Sequence, residues 1–85
     1  MSEELEIFKK KLLYRASYRG TKEMDILLTN FVKKYINQLN NEELNDLKIF
    51  LELEDEEIKN YYNNNIIDDK IKKNSILKIF RDFKL

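Results

Sequence analysis

Leu12-Leu13-Tyr14-Arg15-Ala16-Ser17-Tyr18-Arg19-Gly20-Thr21-Lys22-Glu23-Met24-Asp25-Ile26-Leu27-Leu28 is the stretch that decides how this chain folds. It carries the only glycine, set between two segments whose apolar residues recur at helical spacing. Upstream, Leu5, Phe8, Leu12 and Ala16 form one stripe, widened by Leu13, and predict a helix over residues 4–18. Downstream, Met24, Leu27, Leu28, Phe31, Tyr35 and Ile36 predict a second helix over 22–38. Gly20 can take a positive φ and end the first helix, which a β-carbon would make costly. Thr21 then caps the second helix through its hydroxyl. Glu23 and Asp25 lie in its first turns, where negative charge meets the positive end of the helix dipole.

Farther along, Asn40 or Asn41 caps a third helix that starts with Glu42 and Glu43 and turns Leu44, Leu47, Phe50 and Leu51 inward. Asp55 reads as the N-cap of a short fourth helix carrying Ile58, Tyr61 and Tyr62. The run Tyr61-Tyr62-Asn63-Asn64-Asn65 reads as a loop. Asp68 or Asp69 opens a fifth helix with Ile71, Ile76, Ile79, Phe80 and Phe83 on its apolar side. No segment alternates with period two for long enough to suggest a strand. Proline is absent, so turns rest on caps and asparagine-rich joints. The expectation is an all-α, compact bundle of five short helices forming a single helical domain over residues 1–85.

Composition narrows the function classes. The 16 basic and 16 acidic residues cancel, so the basic excess that supplies most nucleic-acid affinity is missing, and no nucleic-acid partner is expected. There is no cysteine and no histidine. Thiolate chemistry, the commonest general base and the commonest transition-metal ligand all go with them, and no metal site is expected. Glu23 and Asp25 are a carboxylate pair, but on a surface helix they lack a pocket to shift their pKa values, so no catalytic residue is assigned. The acidic start Met1-Ser2-Glu3-Glu4 fits neither a signal peptide nor a transit peptide. No apolar stretch approaches the roughly 20 residues of a membrane span. A cytoplasmic protein without a membrane partner is the expectation, and a monomer the simplest state.

The joint gathers Arg15, Tyr18, Arg19, Gly20, Lys22, Glu23 and Asp25. A solvated helix cap is one reading. The other is a polar recognition patch, in which a rigid joint offers a guanidinium and two carboxylates for charge-assisted hydrogen bonds to another protein. A second, acidic patch comprises Glu52, Glu54, Asp55, Glu56 and Glu57. It reads either as a solvated helix start or as an extension of the docking face. Tyr14 and Tyr18 share a helix face beside the joint.

The segment Lys11 through Leu28 resembles the signature of the succinate dehydrogenase flavinylation and assembly factors, the SdhE-like family. Its hallmark, Arg-Gly-x-x-Glu-x-Asp, is matched by Arg19, Gly20, Glu23 and Asp25. Leu39-Asn40-Asn41-Glu42-Glu43-Leu44 resembles the family's start of helix three. Leu51-Glu52-Leu53-Glu54-Asp55-Glu56-Glu57-Ile58 resembles its Leu-x-x-x-Asp-x-Asp-Leu passage, with Glu57 where Asp is common and Tyr61 near where the family usually has Trp. The resemblance implies an assembly factor or chaperone, not an enzyme. Such a factor docks on the flavoprotein subunit of succinate dehydrogenase, or of fumarate reductase, and promotes covalent attachment of FAD to that subunit's histidine. The nucleophile and the FAD both belong to the partner, consistent with a chain that lacks histidine. It further implies partner binding by Arg19, Gly20 and Glu23, with Asp25 bordering or bracing the contact. On this reading Arg19→Ala leaves the bundle folded and abolishes binding. The residues alone leave open a generic small helical protein-interaction adaptor.

Overall fold

Glu3, Glu4 and Glu6 crowd the first turn of α1 (Glu3–Ser17) and Arg15 stands in its last, complementing the helix dipole at both ends. The computed structural model describes residues 3–67 and 69–83, so the reading of Asp68 as a helix start and of Met1 and Ser2 lies outside the described residues. Gly20 does not take a positive φ, which corrects the expected mode of termination. The end of α1 is instead satisfied by side chains. Ser17 Oγ donates to the Leu13 carbonyl at 2.8 Å. Thr29 Oγ1 donates to the Ala16 carbonyl at 3.3 Å and to Ser17 Oγ at 3.2 Å. The Ala16 carbonyl is one of those that a helix end leaves without an intrahelical partner.

α2 (Lys22–Tyr35) is capped by Thr21, whose Oγ1 accepts from the Met24 amide at 3.2 Å. It stops three residues short of the expected end, passing into a turn in which the Gln38 amide donates to the Tyr35 carbonyl. α1 and α2 run antiparallel: Lys9 Nζ reaches Asn37 Oδ1 at one end, while Thr29 meets Ala16 and Ser17 toward the other. α3 (Asn41–Leu51) begins with a capping box. Asn40 Oδ1 accepts from the Glu43 amide and Glu43 Oε1 from the Asn40 amide.

α4 (Asp55–Asn64) starts one residue earlier than expected, because Glu54 is the N-cap and Asp55 the first helical residue. It also runs through the asparagines read as a loop and closes only at Asn65, which is left-handed at φ 60°. Asparagine tolerates that conformation better than most residues and can do the work of a C-terminal glycine. Asp69–Ile71 form a 3-10 turn rather than opening the last helix. α5 (Ser75–Asp82) begins later, where Asn74 Oδ1 accepts from the Ile76 amide.

The five α-helices wrap one apolar core, and the described residues contain no strand. Phe31 of α2 is its hub. The Phe31 ring lies 5.0 Å from that of Phe80, 5.3 Å from Phe83 and 6.5 Å from Phe50, all near edge-to-face. Leu12, Ala16, Leu28, Val32, Leu44, Leu47, Ile58 and Ile76 fill the space between. Each fully buried aliphatic or aromatic side chain stabilises by about 1.5–3 kcal/mol, so this ring cluster dominates cohesion. Among the described residues no helix is long and apolar enough to cross a membrane.

Candidate functional site

Arg19 turns inward. Its side chain is only 9% exposed, and its guanidinium is shared among groups from the α3–α4 junction. Nε donates to Asp55 Oδ1 at 2.7 Å, NH1 to the Leu51 carbonyl at 2.9 Å, and NH2 to the Leu53 carbonyl at 2.7 Å. A weaker contact joins NH1 to the Arg15 carbonyl at 3.4 Å. The planar fork of arginine suits this use, since it presents donors in fixed directions and stays charged when desolvated. Leu51 and Leu53 flank the end of α3, where carbonyls lack intrahelical partners. One side chain therefore closes the C-terminal end of α3 and ties it to the joint between α1 and α2.

Asp55 completes the clamp. Its second oxygen, Oδ2, accepts from the Gly20 amide at 2.7 Å. A β-carbon on Gly20 would lie 3.1 Å from that same oxygen, tighter than ordinary contact. Glycine at this position thus reflects the close approach of a carboxylate, not a left-handed backbone. Asp25 adds a third tie, its Oδ1 accepting a short hydrogen bond from the Arg19 amide. It braces the joint from the first turn of α2.

The residues singled out from the sequence therefore separate into two groups. Arg19, Asp25 and Asp55 are consumed by the joint's own architecture. The expected display of the Arg19 guanidinium is corrected: four acceptors hold it inside the fold. Gly20, Glu23 and Tyr18 stand exposed at the same joint. Arg15 is half-exposed, 3.7 Å from Glu52. In the acidic patch, Glu57 Oε1 accepts from the Glu54 amide, so Glu57 serves the start of α4. Glu54 and Glu56 remain exposed. The role of Asp55 as the anion of Arg19 was missed, since the two are 36 residues apart and no local spacing links them.

The open surface beside the joint is a groove between the start of α2 and α4. Two adjoining depressions of about 270 and 290 Å³ share Glu23, Met24 and Lys59. Met24 and Leu27 form an apolar floor, with Glu23, Glu56 and Lys59 as charged rim. Tyr62 borders it and donates to the Phe83 carbonyl at 2.9 Å. Tyr61 is buried and donates to the Leu77 carbonyl at 3.0 Å, and burial pushes its phenol above the ordinary value of 10.0. Among the described residues no cluster of acidic side chains is arranged to hold a metal ion, and no buried side-chain polar atom lacks a hydrogen-bond partner. The arrangement is a pre-set surface with a short apolar floor and a charged rim.

Comparison with known proteins points to one family. A model of the Sdh5 family, described as the flavinator of succinate dehydrogenase, matches residues 10–84. A mitochondrial succinate dehydrogenase assembly factor 2 from Scheffersomyces stipitis is 33% identical over 94% of this chain and 56% of its own length. The protein of the same name from Dictyostelium discoideum is 38% identical over 68% of this chain and 41% of its own. The FAD assembly factor SdhE of Acetobacter pasteurianus is 38% identical over 62% of this chain and 49% of its own. The chain spans about half the length of the curated relatives it matches.

Proposed function

This chain belongs to the Sdh5 family, and from that membership we propose that it docks on the flavoprotein subunit of succinate dehydrogenase and promotes covalent attachment of FAD to a histidine there. What carries the reading is the clamped joint. Arg19, Asp25 and Asp55 fix the backbone around Gly20, and the Gly20 edge and the Glu23 carboxylate are left open to a partner. A binding surface held by internal hydrogen bonds loses little conformational freedom on association, which improves affinity. In this reading Arg19 and Asp55 are positioning residues. Gly20 and Glu23 make the contact, with Arg15 and Tyr18 at its border.

The helper acts by geometry. Holding the flavoprotein so that histidine and flavin reach attack distance can lower the barrier by as much as about 7–11 kcal/mol in well-oriented systems. The histidine that takes the flavin belongs to the partner, in keeping with a chain that has no histidine. FAD supplies the reactive carbon and stays with the partner. The three grooves named for this chain, about 270–300 Å³ each, sit at the low end of ligand pockets. The flavoprotein of fumarate reductase is a second client in the same proposal, and the chain engages either one as a monomer without a membrane partner. The test is in-gel flavin fluorescence of the flavoprotein made with and without this chain. Covalent flavin that rises with the unaltered chain and not with Glu23→Lys supports the reading. Equal flavinylation in its absence overturns it.

A further inference from the structure

We propose that the docking surface continues from the joint along the outward face of α1, and that this face takes an acidic, apolar segment of the flavoprotein. This rests on the docking function proposed above and extends it to a surface outside the Arg19–Asp25 signature. Ile7, Lys11 and Tyr14 are spaced by four and three residues, so they form one row along the helix, and Tyr18, just past its end, continues the row through its ring contact with Tyr14. The opposite face of α1 is spent on the core through Leu12 and Ala16. Ile7, Tyr14 and Tyr18 are 51%, 63% and 71% exposed, a concentration of large apolar groups that packing within the bundle does not explain. The Tyr14 and Tyr18 rings lie 4.4 Å apart and brace each other. Paired tyrosines offer broad contact area at little cost in side-chain entropy.

Charge identifies the occupant. A shallow groove of about 300 Å³ on this face is lined by Ile7, Lys10, Lys11, Tyr14 and Arg15, and by no carboxylate. Lys10 and Lys11 form no ion pair among the described residues. Arg15 has only a half-exposed contact with Glu52 at 3.7 Å. In a chain of zero net charge, this face gathers three cations around apolar side chains. The complementary ligand carries carboxylates opposite the lysines and an apolar side chain between Ile7 and Tyr14. The row ends at Tyr18, next to Arg19 and Gly20, so one partner surface can cover both regions. Three apolar side chains on a packed helix make a narrower band than a membrane-surface helix uses, which favours a protein over a lipid surface.

The experiment measures association of the full chain with the flavoprotein subunit by biolayer interferometry, alongside melting curves. The variants are Lys10→Glu with Lys11→Glu, Lys10→Arg with Lys11→Arg, and Ile7→Ser with Tyr14→Ala. Charge reversal should weaken binding at least about tenfold, mainly through slower association, and flatten its salt dependence. The arginine pair should bind like the unaltered chain. The Ile7 and Tyr14 pair should dissociate at least about tenfold faster. Melting should change little in all three. Unaltered flavoprotein binding by the charge-reversed chain overturns this inference and leaves the docking function standing. So does loss of co-sedimentation with vesicles of equal parts phosphatidylcholine and phosphatidylglycerol while flavoprotein binding persists, which would assign the face to a membrane. Failure of the unaltered chain to bind the flavoprotein overturns both readings.

Discussion

Asp55 holds Arg19 and, through its other oxygen, the amide of the very next residue: Oδ1 lies 2.7 Å from Arg19 Nε and Oδ2 lies 2.7 Å from the Gly20 nitrogen. The first residue of α4 thereby fixes the bend between α1 and α2. Two distant chain reversals become one rigid unit, and the surface at Gly20 and Glu23 inherits that rigidity.

The clamp makes Arg19 a stability residue. Arg19→Ala strands the Asp55 carboxylate and frees the Leu51 and Leu53 carbonyls, and should cost about 2–4 kcal/mol. Asp55→Ala, which leaves a nearly buried guanidinium without its anion, should cost a similar amount. The double variant should lose clearly less than the two single losses added together, because each single change already breaks the shared interaction. Urea unfolding of the four proteins checks this, and strict additivity would rule out the clamp as a coupled unit.

Glu23→Lys separates docking from folding. The side chain is exposed, so stability should fall by no more than about 1 kcal/mol through the helix dipole. Binding to the flavoprotein, measured by titration calorimetry, should be lost. A variant that unfolds outright would show Glu23 to be structural.

At Gly20 the expected order is Ala milder than Arg. A methyl group needs Asp55 Oδ2 to give way by a few tenths of an ångström from 3.1 Å, a cost of about 1 kcal/mol. An arginine side chain projects over the exposed joint and should abolish docking while the bundle stays helical by circular dichroism. Full docking by Gly20→Arg would place the contact elsewhere.

Asp46 secures the start of α5 from α3. Its Oδ2 accepts from the Ser75 amide at 3.1 Å and from the Ser75 hydroxyl at 2.8 Å. Its carbonyl accepts from Asn74 Nδ2 at 2.8 Å. Asp46→Ala should cost about 1–2 kcal/mol, in the range of a lost helix cap. Hydrogen exchange should quicken in α5 before it does in α1 and α2.

Tyr61 gives an alkaline limb to the stability curve. Burial raises its folded pKa above the unfolded value near 10. The folded state therefore keeps the proton that the unfolded chain releases, and stability falls as pH rises through that window. The full contribution is present below about pH 9. Tyr61→Phe should remove part of the loss between pH 9 and 11, while costing about 0.5–1.5 kcal/mol at neutral pH for the bond to the Leu77 carbonyl. Parallel slopes for the two proteins above pH 10 would contradict the burial effect.

The helices themselves were written in local spacing. The apolar periodicity of residues 5–16 and 24–36 placed α1 and α2, and Thr21 and Asn40 announced the caps of α2 and α3, because both signals act within one or two helical turns. The Arg19-Gly20 pair falls at the joint between α1 and α2, where the spacing put it. What the sequence could not decide was the direction in which that joint's side chains point. A carboxylate 36 residues away draws Arg19 inward and accounts for Gly20, and Asp46 caps a helix 29 residues distant. Asn65 closes a helix that the asparagine run, read as a loop, would have ended early, since the residues before it are held by packing of Ile58 and Tyr61 on the core. Local sequence determines hydrogen bonds closed within a turn. The pairing of charges across the bundle waits on burial, which makes one partner for a desolvated guanidinium worth more than solvent, and burial exists only once the helices have packed.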